Sequence, residues 1–172
     1  MIMTSRLRKL ALTAHVTFSV GWLGAVAACL SLALVGLTTR DSAMASATYR
    51  AMEVIGLAII VPCSLAALLS GLVQSLGTEW GLFRYYWIVA KLALTVAGTA
   101  VLLLHVPAVT RMARLAVSTS LSTGSFAGLR MQLVVHAVGG LLVLLTTTTL
   151  SVYKPWGRIG HPKGLPAKVG AR

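Results

Sequence analysis

The sequence predicts an all-α protein, a transmembrane four-helix bundle. Three observations carry this. The chain is 57% hydrophobic and 10% charged, whereas a soluble domain is about 25% charged. It contains four apolar runs, each long enough for the ~20 residues that cross the hydrocarbon of a bilayer. Apart from Lys91, its cations gather at the ends of those runs rather than inside them. The net charge of +12, from 15 basic and 3 acidic residues, therefore points to the lipid bilayer and its anionic headgroups, not to nucleic acid. The two cysteines, Cys29 and Cys63, each lie in an apolar run. They form neither a CxxC pair nor a disulfide framework.

Residues 1–9 are a basic segment with Arg6, Arg8 and Lys9, and the first helix is predicted over 10–37. Val26-Ala27-Ala28-Cys29 resembles a lipoprotein cleavage box. The apolar run continues beyond Cys29, however, and exceeds the roughly 7–15 residues of a signal h-region. Residues 38–53 are polar enough to read as a connection. The second helix is predicted over 54–76, kinked at Pro62, which lacks the N–H that an unbroken helix needs. The aromatics Trp80, Phe83, Tyr85, Tyr86 and Trp87 suit the membrane interface. The third helix is predicted over 86–106, with a continuation past Pro107 to Ala116 as the longer option. Residues 117–125 read as a loop, with Ser125 as a cap for the fourth helix over 127–152. In that helix Thr146–Thr149 can bond carbonyls one turn back. The basic tail 153–172 reads as disordered or headgroup-associated.

Four spans place both ends of the chain on one side. That side carries nine cations and the other five, so the positive-inside rule predicts cytoplasmic termini. With three acidic residues in the whole chain, a hydrolase working through paired carboxylates is excluded.

The stretch from Arg84 to Arg111 organises the functional reading. Lys91 and His105 are 14 residues apart within it, which leaves them about 40° apart around a helix axis. Ionisable groups inside a span are costly and mark candidate sites. His105 lies six residues before Arg111, and His136 six after Arg130. On adjacent antiparallel helices the two share one depth. His15, six residues after Lys9, and Lys91, seven after Arg84, share another. The expectation is two tiers, His105/His136 and His15/Lys91.

Two histidines at one depth suit axial ligation of haem b between helices 3 and 4, or part of a copper site. In the haem reading Gly98, Gly139 and Gly140 leave room for a macrocycle, and Arg111, Arg114 and Arg130 pair with propionates. In the copper reading His105 and His136 are the metal ligands, with Cys29 as a soft third. The bland alternative is a non-enzymatic scaffold or subunit, packed as a homo-oligomer or against a membrane partner protein through its small residues. In the other tier, Lys91 either snorkels to the interface or faces His15 as a proton relay or anion site. In that second case at most one of the pair is charged. Histidine, the weaker base, is then neutral and accepts a hydrogen bond from Lys91.

His15-Val16, Gly21-Trp22-Leu23-Gly24 and Trp87 with Lys91 together resemble a bacterial family of four-span predicted integral membrane proteins of unknown function. More distantly they resemble HemJ-type protoporphyrinogen oxidases and the membrane domain of CopD-type copper proteins. The likeness covers helices 1 and 3. It implies a bacterial cytoplasmic (inner) membrane, and His15 and Lys91 as candidate catalytic residues.

Overall fold

Helix α1 spans Ser5–Thr38 and starts at Thr4, whose side chain accepts from the Leu7 N–H. The computed structural model describes residues 3–78, 81–118, 126–155, 157 and 159. Helix α2 spans Ser42–Gly77, α3 spans Tyr86–Ser118 and α4 spans Ala127–Tyr153. All four are long and apolar enough to cross a membrane, and the chain is an all-α, multi-pass membrane protein. Large apolar side chains such as Leu69, Leu76 and Leu104 face outward, where lipid rather than water is the compatible neighbour.

Residues 38–53 were expected as a connection, yet they are helical from Ser42 onward. Asp41 explains the start. Its Oδ1 accepts from the Ala43 N–H at 2.9 Å, the bond of an N-cap. The following SAMASATYRAME is rich in alanine and methionine, which favour helix once a cap is in place. Within α2 the turn Gly56–Ile60 is π-helical and ends just before Pro62. A proline cannot donate to the carbonyl four residues back and crowds it. The widened turn takes up that mismatch. Helix α3 continues through Pro107 without a break, the longer of the two options. Phe126 precedes α4 in the left-handed region (φ 59°) with no side-chain cap. Ser125, expected as the cap, and most of the loop 117–125 and the tail 153–172 lie outside the described residues.

The threonine run of α4 behaves as its sequence suggests. The hydroxyls of Thr146, Thr148 and Thr149 each donate to a carbonyl four residues earlier, and Thr147 to one three residues earlier. Their hydrogen-bonding capacity is met inside the helix, so they are tolerated in an apolar setting.

The helices pack in the order of the chain. α1 lies against α2 and α4, α2 against α3, and α3 against α4. The diagonal pairs make no comparable contact among the described residues. Near the beginning of α1 the Met3 N–H donates to the carbonyl of Gly77, which ties the start of α1 to the end of α2. At the far end Tyr49 of α2 is buried against Gly36 of α1. A Cβ at Gly36 would sit 2.6 Å from the Tyr49 ring. Gly36→Ala is therefore expected to destabilise the bundle by about 1–3 kcal/mol through overpacking. Adding Tyr49→Leu is expected to recover part of the loss. Unfolding midpoints in detergent check both. A Gly36→Ala midpoint equal to the parent would contradict this packing.

Candidate functional sites in two cavities

The bundle holds two cavities of contrasting chemistry. The near cavity, toward the start of α1 and the end of α4, has a volume of about 470 Å³. The far cavity, of about 380 Å³, lies toward the other end. The two tiers of ionisable residues separate between them. His15 and Lys91 line the near cavity, and His105 and His136 line the far one.

His15 sits on α1 and Lys91 on α3, which are diagonal, so the two face each other across the cavity. His15 Nδ1 lies 3.1 Å from the Ala67 carbonyl oxygen and 3.1 Å from Ser70 Oγ, both on α2. A carbonyl only accepts, so Nδ1 carries the proton. Ser70 donates its own hydroxyl to Ala66 at 2.6 Å, which leaves its oxygen free to accept from the same imidazole N–H. Gly71 permits the approach, since a Cβ there would lie 3.2 Å from His15 Cε1. With Nδ1 protonated, Nε2 of the neutral ring is an acceptor. The hydrogen bond expected from Lys91 to His15 is not formed. Lys91 shares only the cavity with His15, and its ammonium has no partner among the described residues. The reason is topological: a neighbouring helix offered the imidazole a carbonyl, and a diagonal lysine is a longer reach.

Arg8, Lys9 and Lys154 complete a basic wall around that cavity, together with the polar side chains of Gln74, Ser75, Thr78 and Thr95. No aspartate or glutamate lines it among the described residues. Gln74 is itself fixed, donating to the Ala11 carbonyl at 3.0 Å. Trp87 lines the same space, and its ring lies 6.3 Å from that of Tyr85.

In the far cavity the two histidines are together, as their matched depth on adjacent helices predicts. Their arrangement is not that of a ligand pair. The rings are stacked, with centroids 4.0 Å apart and planes 8° from parallel. Imidazole lone pairs lie in the ring plane, so two stacked rings cannot aim at one metal ion. Nor is there space for a macrocycle between them. The residues as placed therefore do not fit a haem or a copper ion held by both. Cys29 is buried and lines the same cavity. Among the described residues, however, no group of three His, Cys, Asp or Glu side chains could hold a metal ion. The arginines assigned to propionates are not gathered there either. Arg111 and Arg114 are exposed, Arg130 is buried in the first turn of α4, and none of the three lines the cavity. Trp22, seven residues after His15 on α1, is buried and lines the far cavity.

Two residues escaped the sequence reading, Tyr49 and Glu53. Tyr49 is buried, as is Arg130, and neither the Tyr49 hydroxyl nor Arg130 Nε has a hydrogen-bond partner. Glu53, one turn beyond Tyr49, lines the far cavity. The signal for both was the i, i+4 spacing of Tyr49 and Glu53, which becomes visible only once 42–53 is read as helix.

The stacked geometry predicts that protein purified in detergent from haem-replete cells has no low-spin bis-histidine absorbance spectrum. Such a spectrum, lost in both His105→Ala and His136→Ala, would show that the rings part to take up haem.

Compared with family models, with curated proteins and with solved structures, the chain finds no match.

Proposed function

We propose that this protein binds an anionic amphiphile in the near cavity of a membrane-spanning bundle. The observation that carries the reading is the wall of that cavity: Arg8, Lys9 and Lys91 around His15, with no described carboxylate among them. A lysine inside a span without an acidic partner is costly unless a ligand supplies the counter-charge. The wall supports two contacts of different kinds. Lys91 offers a charge to a carboxylate or phosphate. His15, oriented by Ala67 and Ser70, offers an Nε2 that can accept a proton or a hydrogen bond from the ligand. The apolar body of the ligand would lie along Leu12, Leu68 and Leu92.

A tetrapyrrole with two propionates belongs to this ligand class. It is the member implied by the resemblance of His15 and Trp87-x-x-x-Lys91 to HemJ-type proteins. The same resemblance supports a bacterial inner membrane as the setting. The charge count supports cytoplasmic termini.

The test uses the protein in phosphatidylcholine nanodiscs, titrated with dodecyl phosphate and with a dicarboxylate porphyrin. Saturable binding of either is expected, weakened about tenfold in Lys91→Met. That factor corresponds to ~1.4 kcal/mol, the scale of one lost charge-assisted contact. Parent protein that binds neither probe, or a Lys91→Met variant that binds as the parent does, would overturn the reading. The orientation is tested separately, with single cysteines placed at 118–125 after Cys29 and Cys63 are replaced. Labelling of intact cells by an impermeant thiol reagent from the periplasm is expected. Labelling only after the inner membrane is opened would reverse the topology.

A further inference from the structure

The far cavity has a wall chemistry that the near cavity lacks. Its lining is almost entirely apolar and comes from all four helices, including Trp22, Ile60, Leu102 and Leu133. The polar exceptions include His105, His136, Glu53 and Thr110. His136 is satisfied, because its Nδ1 lies 2.8 Å from the Gln132 carbonyl oxygen and donates to it. His105 is not. It makes no hydrogen bond among the described residues, and its Nδ1 is buried without a partner. A buried polar atom left unmade costs about 1–3 kcal/mol, so an orphan nitrogen beside a cavity invites a ligand atom. The stack against His136 fixes the plane of the His105 ring and thus the direction from which that atom must come.

Two more features belong to the same cavity. Gly56, Leu57 and Ile60 of the π-helical turn form part of its wall. Single π-turns inside α-helices are frequent at functional sites. Gly139 and Gly56 face open space, since a Cβ at either would meet nothing within 4 Å. The cavity is also not sealed from the surroundings of the bundle, which at this depth are lipid. Charge then selects among ligands. Glu53 in the wall disfavours an anionic head, and the almost wholly apolar lining leaves any charged head poorly solvated.

We propose that the far cavity binds a neutral, lipid-soluble molecule with an oxygen head group, a carbonyl or a hydroxyl, that hydrogen-bonds His105. Quinones and long-chain alcohols share this chemistry, and the head either accepts from or donates to the imidazole. The apolar body fills the space beside Gly139 and the π-turn. This site is separate from the near cavity and does not depend on the reading given for it.

The experiment uses the protein in phosphatidylcholine nanodiscs with Trp80, Trp87 and Trp156 replaced by Phe, so that Trp22 in the cavity wall is the reporter. A short-chain prenylated benzoquinone is titrated as quencher, and dodecanol as competitor. Saturable quenching is expected beyond that from partition into the lipid. Gly139→Leu, which fills open space, is expected to weaken binding at least tenfold. His105→Phe, which keeps a stacked ring and removes the nitrogens, is expected to weaken it about tenfold. Lys91→Met is expected to bind as its parent does. Displacement of the quinone by dodecanol assigns the site to any oxygen head, and failure to displace it assigns the site to a carbonyl. Quenching that never saturates would overturn the proposal. So would parental affinity in both Gly139→Leu and His105→Phe, when their circular dichroism and melting match the parent.

Discussion

Hydrocarbon offers no hydrogen bonds, and the rest of this structure follows from that constraint. Each polar group inside the bundle must find its partner within the protein. Most do so locally. The threonines of α4 turn back onto their own helix, and Ser70, Ser75 and Thr95 do the same in theirs. A few reach across. Gln74 joins α2 to α1 through Ala11, and His15 joins α1 to α2 through Ala67. These two cross-links lie near each other at one end of the bundle. They hold α1 in a register set by hydrogen bonds as well as by side-chain volume.

Against that background the unsatisfied groups stand out. Tyr49, Thr99, His105 and Arg130 each bury a polar side-chain atom with no partner. They lie in the interior or toward the far end of the bundle. The imidazole of His136 shows the contrast. It lies against His105, yet it bonds the carbonyl one turn back in its own helix. The same residue type, at the same depth, is satisfied on one helix and orphaned on the other. The difference is one of rotamer and neighbour, not of composition.

The two cavities show how position sorts charge. The near cavity lies where α1 and α3 begin, and the sequence places cations at those ends. Its wall is consequently basic. The far cavity is lined by the apolar middles of four helices, and its polarity is confined to a histidine pair, a glutamate and a threonine. A bundle of this size can therefore present a charged recess and a greasy one a few helical turns apart.

Composition and periodicity alone determined the class, the number of spans and the sorting of the ionisable groups into two depths. These depend on counting along one helix, and a helix translates sequence spacing into depth with a fixed rise. The start of α2 was misread because one capping residue, Asp41, outweighs the polarity of the twelve residues that follow it. Tertiary structure alone decided what each ionisable group does at its depth. Matched depth on adjacent helices brings His105 beside His136 whether the rings face a shared ligand or each other, and only the packed rotamers made them stack. Likewise, spacing brought Lys91 level with His15, but the order of helices around the bundle set them on a diagonal and gave the imidazole to α2. Distances around a bundle depend on which helices touch, and no periodicity within a single helix carries that information.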